Sequence, residues 1–137
     1  MAELTNQSFT KMFYDYLASS ALGLVAGSTL HAWRFPQNAP ALATVILNRS
    51  PGPKTMTNDR LFNMQLLTRA ATPGQAEQEA ERIFDWITNT ENSVGIQLDG
   101  WYIYSIEGNT APGAIGADSA GREQWSANVI VRVQKES

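Results

Sequence analysis

The sequence predicts an α+β fold, in which an antiparallel or mixed β-sheet carries two α-helices packed on one face. Apolar residues recur at helical spacing in two separate segments. Short runs rich in β-branched and aromatic residues, bounded by glycine and proline, lie between and after these segments. The order helix, strands, helix, strands lacks the regular alternation of a parallel α/β protein, so a sheet with its helices on one side is expected.

Two segments carry the helical signal. The first helix is predicted around residues 8–19, where one apolar stripe contains Phe9, Met12, Phe13, Tyr16 and Leu17. The second begins after Thr72, a good N-cap, with Pro73 at the first helical position and Gln75 at capping-box spacing. The predicted buried stripe of the second helix consists of Ala76, Ala80, Ile83, Phe84 and Ile87.

Five segments are candidate strands. They are a short one within residues 24–33, a central strand covered on both faces within 40–50, and further strands at 61–69, 101–108 and 122–134. Residues 51–60 read as a polar loop rich in proline and glycine. The segment from Gly108 to Gly121, "GNTAPGAIGADSAG", is predicted to be a long flexible loop.

Two of these strands share a polar face. Alternation along them puts apolar side chains on one side and a mostly neutral polar set on the other, with some apolar exceptions. The polar set is Asn63, Gln65, Arg69, Ser126, Asn128 and Arg132. We expect it to line a lumen or to contact a neighbouring subunit.

Composition narrows the possible functions. A chain of 137 residues, 43% hydrophobic and 17% charged, suits one domain spanning 1–137. The net charge of −3 provides no basic field for nonspecific nucleic-acid binding. The absence of cysteine excludes disulfides and thiolate chemistry. The uncharged stretch at 16–33 contains glycine, serine, threonine and histidine, which argues against a membrane span.

The sequence offers little for catalysis. Its one histidine, His31, lies in an apolar stretch next to Trp33, which favours a core or surface histidine over a catalytic base, and a single imidazole cannot form a histidine metal cluster. The acidic residues of the second helix follow its solvated side. Residues 116–123 have the glycine spacing of a phosphate-binding loop. However, Arg122 and Glu123 replace the required lysine and hydroxyl residue, and a strand follows instead of a helix. No enzyme activity, cofactor or metal site is therefore expected.

Trp86 and the predicted loop are further candidates for an interface. Trp86 lies at the margin of the apolar stripe of the second helix, so either an interface role or simple edge packing fits it. The predicted loop is the second candidate, since it could become ordered when it binds a partner. Its candidate contact residues are Gly108, Pro112, Gly116, Asp118, Gly121 and Arg122.

Three stretches resemble a known family. They are "LFNMQLLTRA", "AEQEAERIFDWI" and "WYIYSIEGNTAPGAIGADSAGREQWSANVIVRV". The shared features are a strand ending in Thr-Arg, a helix with spaced alanines before Ile-Phe-Asp, and a late strand containing Gly-Arg and Trp-Ser. The family they resemble is the tail-terminator, or minor capsid, proteins of long-tailed bacteriophages.

The resemblance implies a structural virion protein without catalytic residues. Such proteins close into a homo-oligomeric ring, a hexamer, that caps the tail tube and stops its polymerisation. The partners implied are the tail-tube protein, a head-completion or stopper protein, and DNA passing through the lumen, with no membrane. The implied location is the tail or neck of the virion, after assembly in the host cytoplasm. Another neck or tail component, a head-tail stopper, connector or tube subunit, stays open as the alternative.

Overall fold

The computed structural model describes residues 6–50, 59–98 and 100–135, and most of the predicted loop at 51–60 falls outside them. In chain order the elements are α1 (Asn6–Ala18), β1 (Leu30–Ala32), β2 (Ala43–Asn48), β3 (Asp59–Ala70), α2 (Pro73–Thr88), α3 (Thr90–Ser93), β4 (Ile96–Leu98), β5 (Trp101–Ala117) and β6 (Glu123–Lys135). The α+β class is confirmed, as are both predicted helices.

One six-stranded sheet organises the chain, in the order β1-β2-β3-β6-β5-β4. The β1–β2 pair is parallel and the other pairs are antiparallel, so the sheet is mixed. The β3–β6 ladder runs without interruption from Asp59 opposite Gln134 to Ala70 opposite Glu123. These two strands form the centre of the sheet, and they are the pair whose alternation was clearest in the sequence.

The hydrophobic core lies between one sheet face and the helices. Its strand side chains include Phe62, Met64, Leu66, Val129, Val131 and Val133, all buried. The helix α1 adds Phe9, whose ring stacks on Phe62 with the centroids 4.0 Å apart. Burying a side chain of this size contributes about 1.5–3 kcal/mol, so this face anchors the helical layer.

The start of α2 forms as its sequence predicts. The Thr72 hydroxyl accepts a hydrogen bond from the Gln75 N–H at 3.3 Å, and Pro73 occupies the first turn. A capped terminus satisfies an N–H that would otherwise lack a partner within the helix. Four of the five predicted stripe residues are buried, and Phe84 is half-buried. The strand-to-helix junction at residues 70–73 is therefore a structural joint.

The prediction of a loop from Gly108 to Gly121 is wrong. Residues up to Ala117 continue β5, which pairs with β6 as far as Ala117 opposite Glu123. The glycines and Pro112 indicated a loop, but three register shifts between Gly108 and Gly116 accommodate them within a hairpin. Only residues 118–122 form the turn.

Two short elements carried no sequence signal. The strand β4 has three residues, and α3 is a single turn of four residues capped by the Asn89 side chain. Elements of this length contain too few residues to show a period.

Candidate functional site: the open sheet face and the hairpin arm

The sheet face opposite the helices carries the predicted polar set; we call this side of β3, β6 and β5 the open face. Gln65 lies opposite Asn128, and Leu61 lies opposite Arg132. Paired residues of an antiparallel ladder project to the same side. With the two-residue alternation along each strand, all six predicted residues therefore project from this face: Asn63, Gln65, Arg69, Ser126, Asn128 and Arg132.

Side-chain hydrogen bonds of Gln65 tie the middle of the open face together. The Gln65 Nε2 donates to the Ser126 Oγ at 2.8 Å, and the Arg49 Nε donates to the Gln65 Oε1 at 2.9 Å. These bonds fix the orientation of the Gln65 amide between two strands. The centre of this face is thus an ordered polar surface.

Charge on the open face is sparse and loosely paired. The Arg132 Nε lies 4.0 Å from the Glu107 Oε1, and both side chains are substantially exposed. An exposed pair at that separation contributes little to stability and is screened by salt. Leu61, Leu67 and Ile130 project from the same face, and Leu61 is 40% exposed. A face of this kind suits contact with protein better than with phosphates.

Arg69 differs from the rest of the set because it is buried, with 4% of its surface exposed. Its Nη2 donates to the carbonyl oxygens of Ala39 and Pro40 at 3.3 and 3.2 Å, and the guanidinium lies 4.1 Å from the Phe35 ring centroid. The prediction that Arg69 lines an exposed lumen or interface is therefore wrong for the folded chain. Strand alternation could assign its face but not the cover supplied by residues 35–40.

Two charged residues of the turn between β5 and β6, Asp118 and Arg122, influence the pKa of Arg69. Burial lowers the pKa of the Arg69 guanidinium, as does the positive charge of Arg122, while Asp118 raises it. The guanidinium thus holds segment 35–40 against the end of the sheet, close to the turn between β5 and β6.

The distal part of the β5–β6 hairpin is the second feature; we call residues 108–122 the hairpin arm. From Gly108 to Ala117 the arm contains no charged residue, and most of it is exposed. Ile115 is 56% exposed. Natural exposed strands usually carry charges that discourage association, and this segment carries none.

The turn of the arm is held by one carboxylate. The Asp118 side chain accepts hydrogen bonds from the Ala120 and Arg122 N–H groups at 3.0 and 2.8 Å, and from the Arg122 Nε at 2.9 Å. The Arg122 backbone N–H comes first among the causes that lower the pKa of the Asp118 carboxyl. Asp118 and Arg122 thus shape the turn, and Gly121 provides its positive φ of 80°.

The remaining predicted residues have defined surroundings. Gly108 lies against the Phe84 ring, Pro112 is half-buried, and Gly116 is exposed with a φ of 102°. Trp86 is half-buried against the core, with its ring centroid 5.9 Å from that of Tyr16. In the folded chain Trp86 therefore packs at the joint between the two long helices.

A groove that sequence reasoning missed lies beside β1. It measures about 400 Å³ and is lined by Lys11 and Tyr14 from α1 and by residues 31–34 and Pro36. Trp33 is 52% exposed and is a non-glycine residue with a positive φ, 71°. A positive φ of this kind costs about 1–3 kcal/mol for a residue with a side chain. No sequence signal marks Trp33, because backbone strain depends on its neighbours in space.

The single histidine is structural. His31 is buried at this groove, where its Nε2 contacts the Ser28 carbonyl oxygen and its ring meets Phe35 edge-on at 6.2 Å. Across residues 6–50, 59–98 and 100–135, no group of three histidine or acidic side chains could hold a metal ion. Within the same ranges, no helix has both the length and the apolar character to cross a membrane.

Comparison with known proteins gives information on the fold and on the family of this chain. No curated protein matches the chain significantly. A solved chain from the virion of a native gene transfer agent particle shares the fold, with a TM-score of 0.69 at 13% identity, covering 97% of this chain and 99% of its own. A second solved structure has a TM-score of 0.48 at 10% identity, too low to inform the fold.

The family comparison is more specific. The family model described as bacteriophage tail terminator protein matches residues 16–135, which include every strand of the sheet and the whole of α2. The chain therefore belongs to the bacteriophage tail terminator family and is a structural protein of the phage tail.

Proposed function

We propose that this protein forms a closed ring that caps the end of the tail tube, stops tube polymerisation and joins the tail to the head or neck. The observation that carries the proposal is the open face, where neutral polar side chains cover the centre of the sheet while the helices occupy the other side. Family membership supports a terminating role, as the family description states.

A ring closes when two different patches of each subunit meet, because head-to-tail contacts close if the rotation between subunits permits it. The open face and the hairpin arm are two such different surfaces on one chain. We infer six copies per ring from the resemblance to tail terminators. The open face then lines the lumen or meets the neighbouring subunit.

DNA is expected to pass through the ring without being held. If the open face lines the lumen, its exposed cations are Arg132, which lies beside Glu107, and Arg49, which is bonded to the Gln65 amide. The other polar groups of the predicted set that remain accessible are neutral. Affinity for DNA depends mainly on how many phosphates a protein neutralises. A surface with few unpaired cations therefore lets the polyanion slide past.

The hairpin arm is assigned to the tail tube or to the neighbouring subunit. Its exposed segment from Gly108 to Ala117 is uncharged, and a contact there desolvates no ionic group. We assign the opposite side of the ring to the contact with a head-completion protein. The proposed location is the virion tail or neck, with assembly in the host cytoplasm.

Electron microscopy of particles assembled without this protein tests the proposal. Overlong or ragged tubes that regain a defined length when the purified protein is added during assembly support a terminator. Missing tubes would identify a tube subunit, and tubes of normal length without heads would identify a connector. Either of these two results would contradict the capping role.

A further inference from the structure

The groove beside β1 contains a strained and exposed tryptophan. The Arg34 N–H donates to the Ala32 carbonyl oxygen at 2.9 Å, which closes a three-residue turn centred on Trp33. With a φ of 71°, Trp33 has the backbone of the rare γ-turn, a conformation strained for a residue with a side chain. The turn holds about half of the Trp33 side chain in solvent. Strain that exposes an apolar ring has no benefit for the isolated fold, and strained residues of this kind cluster at functional sites.

The groove also presents a positive charge. Arg34 is exposed, and within the described part of the chain it makes no ion pair. Lys11, on the opposite wall, is engaged by Asp15 at 2.7 Å. An exposed tryptophan next to an unpaired arginine has the composition of a protein-contact hot spot, where an aromatic anchor fills a pocket and arginine meets a carboxylate.

The complementary charge is found on α2 of the same chain. Glu77, Glu81 and Asp85 follow one another at intervals of four residues, so they form a single exposed stripe. Among the described residues none of the three has an ion-pair partner, since Arg82 is taken by Glu79 at 2.7 Å. Like charges four residues apart repel one another on a helix, and a cation from outside the subunit would relieve this repulsion.

We propose that the groove around Trp33 and Arg34 binds the α2 surface of a second copy of this chain, with Arg34 facing the stripe of Glu77, Glu81 and Asp85. The inference rests on the proposed ring, because it supplies one of its subunit contacts. It joins two different patches, as a head-to-tail ring requires. A second copy is the occupant because it carries the uncompensated acidic stripe that matches the uncompensated arginine.

The test separates assembly from folding. Trp33→Gly removes the indole, and glycine accepts a φ of 71° without strain, so the melting temperature of the isolated chain should stay equal or rise. Assembly is followed by sedimentation velocity over a concentration series, for the chain alone and with purified tail tubes that can nucleate the ring. Trp33→Gly should raise the concentration for half-assembly about 30-fold, as expected for loss of a hot-spot aromatic.

Charge exchange identifies the partner surface. Arg34→Glu and Glu81→Arg should each weaken assembly about 10-fold, and the double variant should recover most of that loss. The matched controls are Glu91→Arg, an equal charge change outside the stripe, and Val94→Ala, at an exposed apolar residue outside the groove. Both controls should assemble like the wild type.

Each other outcome has a distinct meaning. If the wild type forms rings and the groove variants do too, or if the double variant recovers nothing, the assigned contact is wrong while the ring stands. If Trp33→Gly loses tube binding but self-assembles normally, the groove binds the tube protein and the second-copy assignment is overturned. If the wild type neither self-assembles nor caps tubes, the proposed function itself fails.

Discussion

At the scale of single residues, Gly108 shows how a residue that resembles loop punctuation can be a packing requirement. It lies on β5 where α2 crosses the sheet, and a Cβ atom at this position would lie 2.6 Å from the Phe84 Cζ. The absence of a side chain therefore sets how closely α2 approaches β5. The sequence showed that a glycine was present, but only the helix–sheet contact gives the reason.

Replacing Gly108 by alanine is expected to destabilise the fold by about 1–3 kcal/mol, because the new methyl group forces Phe84 from its position against the core. The free energy of unfolding from chemical denaturation measures the change. Gly113→Ala is the matched control, since a Cβ there meets no atom within 4 Å. Equal stability of the two variants would contradict the close contact.

Asp118 provides a prediction about pH. Hydrogen bonds from the Arg122 and Ala120 N–H groups favour the charged carboxylate and lower its pKa in the folded chain. A carboxyl with a depressed pKa stabilises the fold above its unfolded pKa of about 4, and the contribution is lost as the pH falls through the lower folded value.

The amide resonances of Ala120 and Arg122 report this titration by NMR. We expect them to shift with a midpoint below the ordinary aspartate pKa of about 4. The Asp118→Asn variant, which has no carboxyl at this position, should lack the transition. A midpoint at or above the ordinary value would show that the turn does not hold the carboxylate as described.

At the scale of elements, long strongly patterned segments were predictable and short or covered ones were not. The strand β6 lies within one residue of the predicted 122–134, and α2 begins at Pro73, directly after its predicted N-cap Thr72. The hairpin arm was predicted as a loop because glycine and proline are strong local signals for turns. Pairing with β6 overrides those signals, since each backbone hydrogen bond in the ladder depends on the partner strand.

Deleting residues 112–119 tests the hairpin arm as an element. The deletion removes the distal part of the arm and leaves the core side chains of β5, from Trp101 to Ile106, in place. We therefore expect a folded protein, with little change in circular dichroism, that fails to cap tubes. Tail lengths are measured by electron microscopy. A defined tail length with the deletion variant would end the assignment of the arm to assembly.

At the scale of the whole molecule, the open face is a property of the assembled sheet. Its polar residues come from two strands that are distant in sequence, and they meet through the uninterrupted β3–β6 ladder. Gln65 and Ser126, for example, are 61 positions apart and share a hydrogen bond. Sequence alternation assigned these residues to one face. It did not reveal that Arg69 is buried beneath Phe35 at the end of that face, so Arg132 is the arginine of the set that stays accessible.

Reversing the charge of Arg132 probes this surface. Arg132→Glu places a second acid beside Glu107, and the repulsion should weaken ring formation or joining of the tail. The melting temperature should change little, because the Arg132 side chain is 39% exposed and its pair with Glu107 contributes little to stability. Sedimentation and counting of head-to-tail joined particles measure the two effects. Arg132→Gln, which removes the cation without placing an acid beside Glu107, is the control for loss of the positive charge alone. Normal assembly of Arg132→Glu would remove the open face from the proposed contact.

The sequence by itself determined the fold class, the long helices, the central strands and the separation of apolar from polar faces, because these follow from the periods of α-helix and β-strand. Tertiary structure alone decided that residues 108–117 are strand, that Arg69 is covered and that Trp33 is strained and exposed. Each of these depends on atoms contributed by distant parts of the chain, and a local pattern contains no information about such neighbours.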